Sequence, residues 1–430
     1  MNNERRAQLL AALNAGVRPA TGCTEPVALA LAAAEAARRL GEPVRRIEAR
    51  LSANVLKNGM GVAVPGTGRR GLAIAAAAGA LGGDPDAGLG VLADLDAGAA
   101  ARAREMVDAR DVRVGLAEEP YILWAEARVF GDEHSARVCI VGGHTDVVVI
   151  ERDGVALLER PLPPPDTIDP HVELLTSSSL AEVVETALTA DLAELSVADE
   201  ADRLNMALVE AGRSGEYGLA LGRNLLVAVD KGLASDDLAN RMVALTAAAS
   251  DARMGGAPLP AMTNAGSGNQ GITVTVPVCV VADHVHATPE QRTRAIAMSH
   301  LAALYLHAHL PVLSGLCATT TAGMGAAVGM SWLLDGNLET ADAAIRLMAA
   351  DVMGMLCDGA GTGCANKVSS SVGSAYRAVV SAMAGSRMPY DEGIAGRDAD
   401  ETARFIGRLV RDGMTGTDRE VLAIMRSKNA

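Results

Sequence analysis

Residues 295–334 carry no charged side chain when histidine is counted neutral, and a stretch of that length must leave water. It can do so in a membrane or in a protein core. Pro311 and Gly315 split it into two pieces, each shorter than the roughly 20 residues that a spanning helix needs. His300, His307, His309 and the run Thr319, Thr320, Thr321 add polar groups that lipid would not solvate. The stretch therefore reads as two buried core helices, and no membrane association is expected.

Such a core has few large side chains to draw on. Two Trp, five Tyr and two Phe are the aromatic residues among 430, against 45 glycines. Ala, Val, Leu, Ile and Met must then pack with their backbones close together, which favours packed helices over an aromatic-rich β-sandwich. At 49% hydrophobic and 21% charged, the chain is too apolar for disorder, and its length predicts two or three domains. A net charge of -14 lacks the positive field that non-specific nucleic-acid or anionic-membrane binding needs. The opening MNNERRAQLLAAL reads as an amphipathic helix start and not as a leader, so a cytoplasmic location is expected. In that reducing setting the six cysteines should be thiols.

Local signals divide the chain into two halves. After a short helix at 4–13, Thr24, Glu25 and Pro26 supply a cap and a first-turn proline for a helix to residue 40. Residues 44–51 alternate like a strand, 57–68 form a glycine-punctuated loop, and 72–80 an Ala-rich helix. Strand-like runs follow at 111–116, 121–130, 136–141 and 146–151. The proline-rich stretch 160–170 breaks every regular pattern and marks a boundary. Helical patterns then dominate, at 180–188, 199–212, 216–221, 236–249, 289–309, 318–334, 340–356, 369–383 and 400–425. The expected fold is α+β, with a smaller mixed α/β lobe (1–160) packed against a larger, mostly helical lobe (171–430) and the active site between them.

Three cysteines carry the strongest chemical signal. Cys317 lies in LSGLCATTTAGMG, and Cys357 and Cys364 lie in LCDGAGTGCANK, both nearly uncharged and rich in glycine. Small residues let backbone amides approach a bulky anion, so three thiolates there suit an iron-sulfur cluster with one iron lacking a protein ligand. The same residues also suit small buried positions. CxxC pairs are absent, and a zinc site would need a fourth ligand that the sequence does not make obvious. Cys23, in ATGCTEP at a helix N-terminus, is placed where the helix dipole favours a thiolate; it reads as a general base, a nucleophile or a tightly packed residue before a cap. Cys139 and Cys279 sit in apolar, strand-like runs and read as inert core residues.

Other polar positions are open between binding and structure. Asn264, Ser267, Asn269 and Gln270 share NAGSGNQG, which either binds something or closes a demanding turn. No Gly-Lys-Ser/Thr follows it and no Rossmann fingerprint surrounds it, so nucleotide binding has no support. His144 and Thr145 follow two glycines at a strand end, where an imidazole can orient or protonate a substrate or simply face solvent. His307 and His309 point apart on a helix, and His284 and His286 have no third ligand nearby, so neither pair chelates a metal. Lysine occurs at only four positions; Lys57 and Lys367 lie in motif loops, where each can pair with a carboxylate or be solvated.

Taken together, ATGCTEPVALA, SANVLKNGMGVAVPGTG, VGGHTD, TNAGSGNQGITVTVPV, LSGLCATTTAGMGAAVG and CDGAGTGCANKVSSS resemble the iron-sulfur L-cysteine desulfidase family, related to the iron-sulfur L-serine dehydratases. The resemblance spans nearly the whole chain. It implies that Cys317, Cys357 and Cys364 hold a 4Fe-4S cluster and that Cys23 is the general base. It further implies substrate contacts from Lys57, Asn58, His144, Thr145, Asn264, Ser267, Asn269, Gln270 and Lys367. The implied reaction converts L-cysteine to pyruvate, ammonia and hydrogen sulfide. Asp146 stands where the family pattern has Asn, and no cysteine near the C-terminal SKNA is available to the fourth iron, which should be open or water-bound. The expected partner is a small amino acid, with no nucleic acid and no membrane; the oligomeric state is left open, a homodimer included. Two alternatives are a dehydratase of L-serine or another β-substituted amino acid, and a non-enzymatic iron-sulfur sensor.

Overall fold

A computed structural model describes residues 2–21, 24–162, 164 and 167–428 of the chain. The N-terminal part comprises α1 (Asn3–Gly16), β1 (Pro19–Thr21), α2 (Thr24–Leu40), β2 (Arg46–Leu51), α3 (Ala53–Gly59), β3 (Ala63–Val64), β4 (Arg69–Arg70), α4 (Leu72–Gly82), α5 (Ala97–Asp108) and then β5 (Val112–Leu116), β6 (Trp124–Phe130), β7 (Ser135–Val141), β8 (Val147–Arg152) and β9 (Val155–Glu159). Six of these strands form one mixed sheet in the order β5-β2-β6-β7-β8-β9, antiparallel except for the β2–β5 pair. Alternation sets its two faces. Ile47, Ala49, Leu51, Ala125, Ala127, Val129, Ala136, Val138 and Ile140 point to one side and are buried under α2 and α4. Glu126, Arg137 and Glu151 point to the other, where Arg137 pairs with Glu126 at 3.1 Å and Glu151 at 2.9 Å.

Alanines on the sheet and on α2 let that helix lie flat against the strands. The α2–α4 crossing is closer still: a Cβ at Gly79 would lie 2.1 Å from the Ala30 carbonyl oxygen.

The C-terminal part is helical: α6 (Pro170–Thr176), α7 (Leu180–Thr189), α8 (Ser196–Ser214), α9 (Leu221–Asp230), α10 (Leu238–Met254), the short β10 (Pro260–Met262), α11 (Gly268–His284), α12 (Pro289–Ala308), α13 (Thr319–Leu334), α14 (Leu338–Asp351), α15 (Cys364–Met383), α16 (Ala399–Arg408) and α17 (Thr417–Ser427). The chain is thus an α+β protein, as its pattern predicts. The uncharged stretch supplies most of α12 and all of α13, both deeply buried. Among the described residues, no helix is long and apolar enough to cross a membrane. Glycine again sets the spacing, since a Cβ at Gly329 would lie 2.7 Å from the Ala295 carbonyl oxygen.

Two large hydrophobic cores result, one under the sheet and one among the helices, beside two small clusters, and elements from each end of the chain cross between the large ones. Leu9 and Leu13 of α1 belong to the helical core, β1 pairs with β10 through Ala20 and Ala261, and Leu422 of α17 joins the core under the sheet.

The local readings omit α5, β9 and α6, and they differ from the structure elsewhere as well. Cys279 lies in α11 and not in a strand, because the β-branched run is long enough to fill a helix packed on all sides, and packing overrides propensity. Residues 216–220 are not helical, and the helix begins at Leu221; its start is fixed by the Asp251 carboxylate of α10, which accepts from the Leu219 and Gly222 N–H groups. The single helix expected over 400–425 is interrupted by a π turn at Leu409–Gly413. Lys57 and Asn58, read as loop residues, close the short helix α3.

His300 and His309 are buried in the helical core, and burial pulls their pKa values down to about 3 and about 4. Between those values and the unfolded value near 6.5, the unfolded chain binds protons that the folded chain refuses, so stability is complete above that range and falls as pH drops. Denaturant unfolding should show a loss on the order of 1–2 kcal/mol for each histidine between pH 7 and pH 5. His309→Gln should reduce that dependence by about one histidine's share, and equal stability of the parent at both pH values would contradict it.

Candidate active site

The three signal cysteines lie on two loops at one side of the helical core. Cys317 precedes α13, Cys357 follows α14, and Cys364 is the first residue of α15. Leu316 and Leu356 form an isolated antiparallel bridge: the Cys317 N–H donates to the Met355 carbonyl at 2.9 Å and the Cys357 N–H to the Gly315 carbonyl at 2.8 Å. Two segments about 40 residues apart in sequence are thereby clamped edge to edge. All five described cysteines are free thiols.

These thiols share one electrostatic environment. Burial pushes the Cys317 thiol up to about 12, with Cys357 and Cys364 adding to the rise and the Thr319 hydroxyl, 3.0 Å from Sγ, opposing it. Burial also raises Cys364; a Gly361 backbone N–H, Lys367 and Arg253 pull it back, while Cys357 adds to the rise. Among the described residues, no three His, Cys, Asp or Glu side chains are grouped tightly enough to hold a single metal ion. A polynuclear cluster asks for a different arrangement, because each thiolate binds its own iron at a separate corner. Three mutually coupled thiols on glycine-rich loops, beside a lysine and a buried arginine, fit an anionic cluster of that kind.

The loop bearing Cys357 and Cys364 rests on α3. The Lys57 side chain is fully buried; its ammonium donates to the Cys357 carbonyl at 3.1 Å and is ion-paired with Asp418 of α17. Asn58 accepts at 3.8 Å from the Cys357 thiol and donates to Glu25 Oε1 at 2.9 Å. Gly359, at φ +92°, comes so close to α3 that a Cβ would lie 2.7 Å from the Lys57 carbonyl oxygen.

A second convergence joins the start of α2, the turn before β8 and the turn before α11. The Thr24 hydroxyl donates to the Gly266 carbonyl at 2.9 Å, and a Cβ at Gly266 would lie 3.4 Å from the His144 ring. Burial lowers the His144 pKa, against the pull of Glu25 and Asp146, so the ring is neutral at neutral pH. His144 Nε2 is buried and has no hydrogen-bond partner among the described residues. Thr145 beside it is exposed. Cys23 lies outside the described residues, and Thr24 and Glu25 follow it directly at this junction.

The NAGSGNQG residues are mostly turned inward. Asn264 donates to His300 Nδ1 at 3.1 Å and accepts from Gln270 Nε2 at 2.8 Å, while His300 Nε2 meets the Thr275 hydroxyl at 3.0 Å. Asn269 accepts from Ser250 at 3.1 Å, and Ser267 caps α11. Lys367 is ion-paired with Asp358; burial opposes its charge, but Asp358 and the Cys317 and Cys364 thiols outweigh burial and raise its pKa.

Sequence reasoning missed Glu25, Arg253 and Asp418 as site residues. Glu25 was legible only as a first-turn acid, yet it is 7% exposed and tied to Asn58. Arg253, 6% exposed at the end of α10, lies against Gly268, where a Cβ would come 2.2 Å from its Nε. Asp418 is far from every motif in sequence.

Removing the Asn264 side chain strands Gln270 Nε2 and His300 Nδ1 in the core. Asn264→Ala should therefore lower unfolding stability by about 2–4 kcal/mol. Thr145→Ala, at an exposed position, should stay within about 0.5 kcal/mol of the parent. Equal denaturation midpoints for Asn264→Ala and the parent would sink the structural assignment of Asn264.

Comparison with known proteins agrees with these motifs. The sequence is 48% identical over 424 residues to a UPF0597 protein of Chromobacterium violaceum, covering 98% of this chain and 97% of that one. It is also 48% identical over 415 residues to the UPF0597 protein YhaM of Escherichia coli strain K12, covering 96% and 95%. The profile of the serine dehydratase alpha chain family matches residues 99–423, which include His144, the NAGSGNQG turn and all three loop cysteines. The chain belongs to the serine dehydratase alpha chain family, a family of iron-sulfur-dependent lyases.

Proposed function

We propose that this protein is a lyase that converts L-cysteine and water to pyruvate, ammonia and hydrogen sulfide, using a 4Fe-4S cluster held by Cys317, Cys357 and Cys364. The observation that carries the reading is the backbone bridge that clamps the loop of Cys317 to that of Cys357, with Cys364 seven residues further on in the same glycine-rich loop. Preference for L-cysteine is supported by the motif resemblance to the cysteine desulfidases. When bound, an iron without a protein ligand supplies a thiophilic Lewis acid for the departing sulfur.

The chain's own groups divide the remaining work. Cys23, preceding α2, takes the α-proton as a thiolate favoured by the helix N-terminus. The electron pair left at Cα forms the Cα–Cβ double bond as the Cβ–S bond breaks, releasing sulfide and aminoacrylate. Tautomerisation to the imine and attack by water then give pyruvate and ammonia. Neutral His144, whose Nε2 is buried without a partner among the described residues, offers the substrate a hydrogen bond without a charge. Asn58, Thr145 and Ser267 border the same junction. Lys57, Asn264, Asn269, Gln270 and Lys367 act through other residues by holding the loops in place.

A second reading, dehydration of L-serine, is favoured by the description of the family that matches. Specificity constants for L-cysteine, L-serine and L-threonine separate the two, and a preference for a hydroxy amino acid would overturn the desulfidase reading. Anaerobic purification with iron and acid-labile sulfide analysis, followed by a sulfide-release assay, tests the rest. Cys23→Ala should retain iron and lose about a hundredfold or more in kcat, whereas Cys357→Ala should lose iron. Iron uptake with no turnover of any amino acid would favour a sensor instead.

A further inference from the structure

We infer that the C-terminal helix α17 is a clasp on both cysteine loops, with Asp418 and Lys57 as positioning residues for Cys357. The inference rests on the proposed ligand role of these cysteines for its functional meaning, while its geometry is independent of that role. Three side chains of α17 reach three different pieces of the site. Thr417 packs on Gly315 beside Cys317, where a Cβ would lie 2.9 Å from the Thr417 Cβ. Asp418 pairs with the Lys57 ammonium, which also holds the Cys357 carbonyl at 3.1 Å. Met425 covers Gly359 in the loop between Cys357 and Cys364, 3.2 Å from the position a Cβ would take.

α17 has little else to hold it. Leu422 is its one buried side chain, and the helix follows a π turn and a short connection after α16. Its docking therefore depends on the ion pair to a degree that a deeply packed helix would not. A fully buried ammonium tolerates its site only with a countercharge and a carbonyl to accept its protons. Without the Asp418 charge, Lys57 is driven toward water, and the Cys357 loop loses the donor that fixes its carbonyl. The carboxylate lies in the first turn of α17, where the helix dipole favours it.

The test uses full-length, metal-free, reduced protein and reads iodoacetamide alkylation at each cysteine by mass spectrometry. In Asp418→Asn, Cys357 and Cys364 should alkylate about tenfold faster than in the parent, as expected for a locally destabilised segment. Cys139 and Cys279, buried in the sheet region and in α11, should keep their parental rates. Asp418→Glu should restore slow alkylation at Cys357. An unchanged Cys357 rate in Asp418→Asn overturns the clasp, as does a uniform rise that includes Cys139 and Cys279. Because alkylation is read without metal, it decides the clasp separately from iron uptake by Cys357→Ala, which decides the ligand role.

Discussion

Small residues that bring backbones into contact set the geometry on which everything else here depends. Gly79 lies against Ala30 where two helices cross above the sheet, and Gly329 lies against Ala295 between α13 and α12. With almost no aromatic side chains to fill space, burial of many short side chains at short spacing supplies the apolar contact. Packing of this kind has little slack, because an added methyl group meets a carbonyl and not a flexible side chain.

The site reuses the same device with charge added. Gly359 brings the cysteine loop onto α3, Gly266 makes room for the His144 ring, and Gly268 makes room for the Arg253 guanidinium. Ionisable groups that a surface would solvate are thereby enclosed: Lys57 against Asp418, Glu25 against Asn58, and Arg253 near Cys364. Enclosure strengthens each pairing and makes each expensive to break. It also keeps the Cys317 and Cys364 thiols protonated in the metal-free protein, so that metal uptake at these positions must release protons.

Much of the architecture was legible because it rests on periodicity. The strand alternation at β6 and β7, the first-turn proline of α2 and the uncharged run that becomes α12 and α13 are local patterns with local causes. Two of the misreadings share one origin: α9 starts where Asp251 of another helix caps it, and the β-branched run around Cys279 is helical because helices surround it. Neither cause lies in the segment itself. At the site, the glycine-rich setting of Cys317, Cys357 and Cys364 was visible, and so was the cluster of polar residues in NAGSGNQG.

By itself the sequence determined the fold class, the thiol-bearing loops and the family, since these follow from composition, pattern and motif. The tertiary structure alone decided which polar residues face which way. Asn264 and Gln270 turn inward because His300, 36 residues from Asn264, presents a ring nitrogen to the Asn264 amide. Lys57 closes on Cys357 and Asp418 across about 300 and 360 residues of chain. Burial and pairing of charge are properties of distances between remote segments, and no local pattern encodes those distances.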